Sequence, residues 1–139
     1  MASPGEVKRA QTFMELAEEK LEVARELLEL RRYDDAVSRA YYTMFYAAKA
    51  LLLLEGIETR RHRSVTAYFG QRFVKTGRVA RHYSRLLQEA MEARGIADYD
   101  PEVRATRQKA EKAIANTEEF LLKAKELFAE ILGQMGTPP

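Results

Sequence analysis

The 139-residue chain contains no cysteine and no tryptophan, and only two histidines. Without cysteine there is no disulfide framework, no thiolate metal site and no cysteine nucleophile. His62 and His82 form no HxxxH or HExxH spacing, so no metal site is expected. There is no Walker-type loop and no dinucleotide-binding glycine fingerprint. Gly70 and Gly77 are isolated breakers, and no cofactor is expected. No apolar run approaches the ~20 residues of a membrane span, and the opening "MASPGEVKRAQ" has no apolar signal region. A cytoplasmic protein with no membrane segment is the expectation. Internal repeats, low-complexity tracts and defensible strand patterns are missing as well.

Acid is missing from one place in particular. Between Thr59 and Gln88 there is no Asp or Glu, while the same window carries Arg60, Arg61, Arg63, Arg72, Lys75, Arg78, Arg81 and Arg85. Net charge over the whole chain is only +2, so the rest of the molecule is net negative. A concentrated positive field attracts polyanions even on a nearly neutral protein. Tyr68, Phe69, Phe73 and Tyr83 interleave with these cations. Arginines with ring faces suit single-stranded nucleic acid, although Phe69 and Phe73 are also spaced for a helix core. The window is the candidate contact for RNA or a nucleotide.

What is present reads as helix after helix. Hydrophobic residues make up 46% of the chain and charged residues 32%, the balance of one globular domain. Met14, Ala17, Leu21, Ala24 and Leu28 form an amphipathic stripe. Thr12 with Glu15 is one candidate capping box for it, and Ser3 before Pro4 offers an earlier start. Asp34 or Asp35 is the expected N-cap of a second helix from about Ala36 to Leu54, apolar on nearly every side and therefore central. Ser64 is the expected cap of a third helix, and "KTGR" its end. A fourth is expected from about Val79 to Arg94, with Gly95 as C-cap and "GIADYDP" as a loop. Pro101 then opens the last helix, whose seam is Ala110, Ile114, Thr117, Leu121, Ala124, Phe128 and Ile131. The expected organisation is a short extension (1–11), an all-α up-and-down bundle of four to five helices (12–132) and a disordered tail (133–139).

Two clusters carry candidate chemistry. In "SRAYYTMFYAAKALL", Arg39, Tyr42 and Tyr46 share one helix face. Either Arg39 is a buried arginine paired to a carboxylate, with tyrosines hydrogen-bonding across helices, or the face binds an anion at a cleft. In "EARGIADYDP", Arg94 at a helix end precedes Asp98 and Tyr99. Arg94 ties the loop down as a cap, or the loop leaves Tyr99 accessible to an enzyme. His82, between Arg81 and Tyr83, is either a surface residue or a candidate base.

"YDDAVSRAYYTMFYAAKALL", "HRSVTAYFGQRFVKTG" and "ARGIADYD" together resemble the small stand-alone prokaryotic type of the HEPN (higher eukaryote and prokaryote nucleotide-binding) domain family, from about Thr12 to Leu132. The resemblance implies a helical bundle that pairs into a homodimer. It also implies a minimal nucleotidyltransferase partner in toxin–antitoxin or defence modules. In many members it implies an RNase whose arginine and histidine are separated by four to six residues. Here six residues separate Arg39 from Tyr46 and four separate Arg94 from Tyr99, so tyrosine stands where histidine is expected. A phenol with a pKa near 10 is a poor general base at neutral pH. Arg39, Tyr46, Arg94 and Tyr99 remain the catalytic candidates, with RNase activity left open and a non-catalytic adaptor as the alternative. Tyr99 is the candidate for modification by the partner.

Overall fold

The computed structural model of the protein describes residues 2–136, and these form an all-α bundle. Five helices follow in order: α1 (Pro4–Glu29), α2 (Tyr33–Leu54), α3 (His62–Phe69), α4 (Arg81–Tyr99) and α5 (Arg107–Gln134). A π-helical turn, Gly70–Val74, continues α3. Among the described residues there is no strand, and no helix is long and apolar enough to cross a membrane.

α1 takes the earlier of its two starts. Ser3 Oγ accepts from the Glu6 N–H and the Glu6 carboxylate accepts from the Ser3 N–H, a complete capping box with Pro4 behind it. Residues 4–11 are therefore the first turns of α1, and Ala10 is already fully buried. At the other end, Gly133 and Gln134 still belong to α5, and the part of the expected tail at 137–139 lies outside the described residues.

α2 is the centre. Its buried residues include five alanines and four consecutive leucines, Leu51 to Leu54, and it packs against every other helix. Small side chains let neighbouring backbones approach, and Thr117 Oγ1 of α5 reaches the Ala40 carbonyl at 3.2 Å in the core. The predicted α5 seam from Ala110 to Ile131 is buried throughout. Ion pairs such as Arg25–Glu118 and Lys125–Glu18 are exposed, where such pairs add well under about 1 kcal/mol each. Burial of the seam holds the bundle together.

The helix ends depart from the sequence expectations in three ways. Asp34 does not cap α2, which starts at Tyr33 after Arg32 with no side-chain cap. Its carboxylate instead accepts from the Ala105 N–H at 2.7 Å and from Arg104 at 3.4 Å, pinning the α4–α5 connection. Nor does Ser64 cap α3: the cap position is Arg61. And α4 runs through Gly95 to Tyr99, while α5 opens at Thr106, whose hydroxyl accepts from the Lys109 N–H, rather than at Pro101. Gly95 sits at an ordinary helical position because nothing nearby demands a turn there; the Arg94–Asp98 and Tyr99 contacts described below favour continuing the helix.

α1 and α2 end in the same way. Arg31 N–H donates to the Leu28 carbonyl and Arg32 N–H to the Leu27 carbonyl; Gly56 and Ile57 repeat the pattern onto Leu53 and Leu52. This is the Schellman geometry, which needs a left-handed residue just past the cap. Gly56 supplies it with φ 77°, whereas Arg31 is forced into φ 60°.

Candidate functional site

The segment after α2 runs back along it. Glu58 anchors that return by a two-pronged pair with Arg9 of α1, at 2.7 and 2.8 Å. The first residue of α3, His62, thereby lands against the middle of α2. Its ring stacks on Phe45 at 4.3 Å between centroids, and Nδ1 meets the Tyr41 hydroxyl at 2.5 Å.

From the other side α4 delivers Arg94. One terminal nitrogen donates to the Tyr42 hydroxyl at 2.9 Å, and the guanidinium lies over the rings of Tyr41, Tyr42 and Tyr99 at 5.9, 5.5 and 5.4 Å. Asp98 Oδ2 is 3.0 Å from Arg94 Nε, but off the line of the N–H. Nε is buried and has no hydrogen-bond acceptor. We take the contact as ionic attraction without a hydrogen bond, since distance alone does not align a donor. Arg94 and His62 are thus gathered around one pair of phenols, Tyr41 and Tyr42.

Protonation follows from these contacts. Tyr41 is buried, and burial pushes its phenol above the ordinary range despite the nearby Arg94 charge. It therefore stays O–H, and among the described residues its one hydrogen-bond partner is His62 Nδ1. A buried hydroxyl without an acceptor would be costly, so Tyr41 donates, Nδ1 accepts and neutral His62 carries its proton on Nε2. Burial, Arg94 and Lys49 in turn hold the His62 pKa below its ordinary value. Burial also lowers Lys49, aided by Arg60 and Arg9 against Glu58. Arg94 lies the other way: burial opposes its charge, but Tyr42, Tyr99 and Asp98 outweigh burial and raise its pKa. The result is a set of donors: Arg94 N–H groups, the His62 Nε2–H, the Tyr42 hydroxyl and the Lys49 ammonium. Asp98 is the acid in contact with Arg94. Such a set suits a bound anion better than proton abstraction.

The sequence candidates are distributed unevenly around it. Arg94 and Tyr99 are in the cluster, with Tyr99 at the last position of α4 rather than in a loop and 73% exposed. Tyr46 is half-buried beside Tyr42 and stacked on Phe13. Tyr42 and Tyr46 are thus only partly covered, unlike Tyr41. Arg39 overturns the expectation of a buried pair: it is exposed and makes no ion pair among the described residues. Its place near the end of the face, one turn before Tyr42, leaves it in water, and Arg94 takes the buried role instead.

The basic window divides. Arg60, Arg61 and Arg63 are exposed around His62 at the start of α3. Arg72 and Lys75 project from and beyond the π-helical turn, and Arg81 and Arg85 from the first turns of α4, all exposed. Arg78 is spent on Glu55 at 3.0 Å and on the face of Phe73. His82 pairs with Glu119 at 2.9 Å and shares none of the cluster's contacts. No group of three or more metal-binding side chains occurs among the described residues. His62, Tyr41 and Lys49 were not singled out by the sequence, because the return of α3 along α2 joins positions with no regular spacing.

Comparison with known proteins gives a consistent assignment. The HEPN domain family model matches residues 10–127. The chain is 38% identical over 122 residues to a putative toxin of Methanocaldococcus jannaschii, covering 88% of this chain and 90% of that one. A second putative toxin of the same organism is 35% identical over 119 residues, covering 86% and 81%. A UPF0332 protein of Gloeobacter violaceus is 34% identical over 121 residues, covering 86% and 96%.

Proposed function

Since this chain belongs to the HEPN domain family, we propose that it is the toxin-type component of a two-part module and binds RNA through the Arg94 cluster and the arginines beside it. The carrying observation is Arg94 itself. Its side chain is only 17% exposed and is held in place by Tyr42 and the surrounding rings. A phosphate oxygen accepts from such a fork bidentately. Arg60, Arg61 and Arg63 add exposed charge next to His62, and Tyr99 offers a ring face for a base. The names of the two archaeal relatives support the toxin assignment.

The partner is a minimal nucleotidyltransferase, and Tyr99 is its target. Among the tyrosines of the cluster it is the exposed one, and Arg94 beside it would steady the phosphate of a transferred nucleotide. A homodimer joins two such faces. Light scattering at tens of micromolar tests that, and a monomer would remove it.

Binding of a fluorescent single-stranded RNA tests the reading. Arg94→Ala should weaken it at least tenfold, and log affinity should fall steeply with log salt, less steeply once Arg60, Arg61 and Arg63 are neutralised. Affinity that ignores both salt and Arg94 would overturn it. The adaptor reading is favoured by one observation, the use of His62 Nδ1 by Tyr41, which leaves no free basic nitrogen. RNA that is bound intact rather than cut would select it.

A further inference from the structure

On the opposite flank of Tyr41, between α2, α4 and α5, lies a cavity of about 280 Å³. It exists because facing positions are small: Ala90, Ala93 and Ala97 on α4 look across to Ala40 and Ala113. α4 and α5 are thereby held apart, and Asp34 pins the connection between them through the Ala105 N–H. The lining is mostly apolar and includes the exposed Ile96 and Val103. Lys109, Lys112 and Arg104 stand around the same cavity, against Glu89 and Asp34. Asp34 is engaged by Arg104, while Lys109 and Lys112 have no ion-pair partner among the described residues.

We infer that this cavity binds an amphipathic carboxylate, its apolar body between α4 and α5 and its head on Lys109 and Lys112. An interior of this size and lining is the usual form of a small-molecule site. The apolar wall selects the body. Three cations against two carboxylates leave one net positive charge, which matches the head of a monocarboxylate. The N-terminal end of the long α5 adds its dipole on the same side. Tyr41 forms part of the wall and is the residue bonded to His62, so an occupant reaches the Arg94 cluster through one ring. The site is an effector position, independent of whether the cluster binds RNA.

Decanoate below its micellar concentration is the probe, followed by calorimetry on the full chain. One saturable site is expected, with affinity rising about fourfold per methylene from octanoate to decanoate. Ala97→Leu should abolish binding while the helical circular dichroism is retained. The Lys109→Gln, Lys112→Gln double variant keeps the test decisive if Ala97→Leu does not fold: it should weaken decanoate at least tenfold and leave decanol unchanged. Saturation should also move the ring resonances of His62. No saturable binding, binding that survives in folded Ala97→Leu, or decanoate affinity indifferent to both lysines would each overturn the site. Unmoved His62 resonances at saturation would overturn the link through Tyr41.

Discussion

Tyr41→Phe is the sharpest probe of the protonation scheme. The substitution removes a single oxygen from a side chain that is 1% exposed and leaves the ring packing against Tyr42, Phe45 and His62 in place. If the phenol donates to Nδ1, the lost bond was stabilising neutral His62 over the imidazolium. A net hydrogen bond is worth about 0.5–1.5 kcal/mol, and about 1.4 kcal/mol corresponds to one pH unit. The His62 pKa should therefore rise by about half to one pH unit, back toward its ordinary value. Burial and Arg94 would still hold it down in part.

NMR titration of the imidazole carbons reads this directly. Only His62 and His82 contribute, and a His82→Gln background assigns them. In the parent protein, 15N shifts should report an unprotonated Nδ1 and a protonated Nε2. A His62 pKa that falls, or does not move, in Tyr41→Phe would refute the donor assignment. It would mean that Nδ1–H donates to the phenol oxygen, leaving Nε2 free as a base and reopening catalysis at this histidine.

Two further outcomes follow from the fold. Arg31→Gly relieves a left-handed position in a Schellman turn that Gly56 fills without strain, so urea unfolding should show a gain of about 1 kcal/mol, and Gly56→Ala a loss of similar size. Stability should also fall on mild acidification: folding lowers the His62 pKa, so the unfolded chain binds more protons as pH drops through about 6.5 and toward the folded value. His62→Gln should flatten that window of the pH profile, and an unchanged slope would exclude His62 as its source.

The helical class and the α5 seam were legible because they rest on periodic burial, and the central place of α2 because that helix is apolar on nearly every side. Leu51–Leu54 and the row from Ala110 to Ile131 are buried for the reason the sequence pattern gives. Helix ends were less legible. "DD" reads as an N-cap, but Asp34 is drawn instead to the free N–H of Ala105, which is 71 positions away in sequence. "ARGIADYDP" reads as a turn, but glycine tolerates a helix when Arg94, Asp98 and Tyr99 gain contacts by continuing it. The candidate site was half legible. Arg94 and Tyr99 lie in one motif, whereas His62 joins them because the chain turns back along α2, with Ile57 packed on the core and His62 stacked on Phe45. Arg39 was misplaced for a simple reason: sharing a face with Tyr42 and Tyr46 does not say how far along the face burial extends.

Asp98 decides how the cluster behaves toward anions. Its carboxylate lies close to Arg94 Nε, receives the Ser38 hydroxyl at 3.5 Å and is partly exposed. It offers charge without a well-directed bond, so it attracts Arg94 while leaving the buried N–H unsatisfied, at a cost of about 1–3 kcal/mol for such a donor. An incoming phosphate would meet the terminal nitrogens of the guanidinium, since the Nε–H is closed to it, and would also meet the Asp98 charge. Two like charges about 5 Å apart in a half-solvated site repel by roughly 1–2 kcal/mol. Asp98→Asn removes the repulsion and keeps the shape, so RNA affinity should rise about five- to thirtyfold at low salt, with a smaller gain at high salt. Fluorescence anisotropy across a salt series measures both. Weaker binding in Asp98→Asn would refute the competition and make Asp98 the residue that aims the guanidinium.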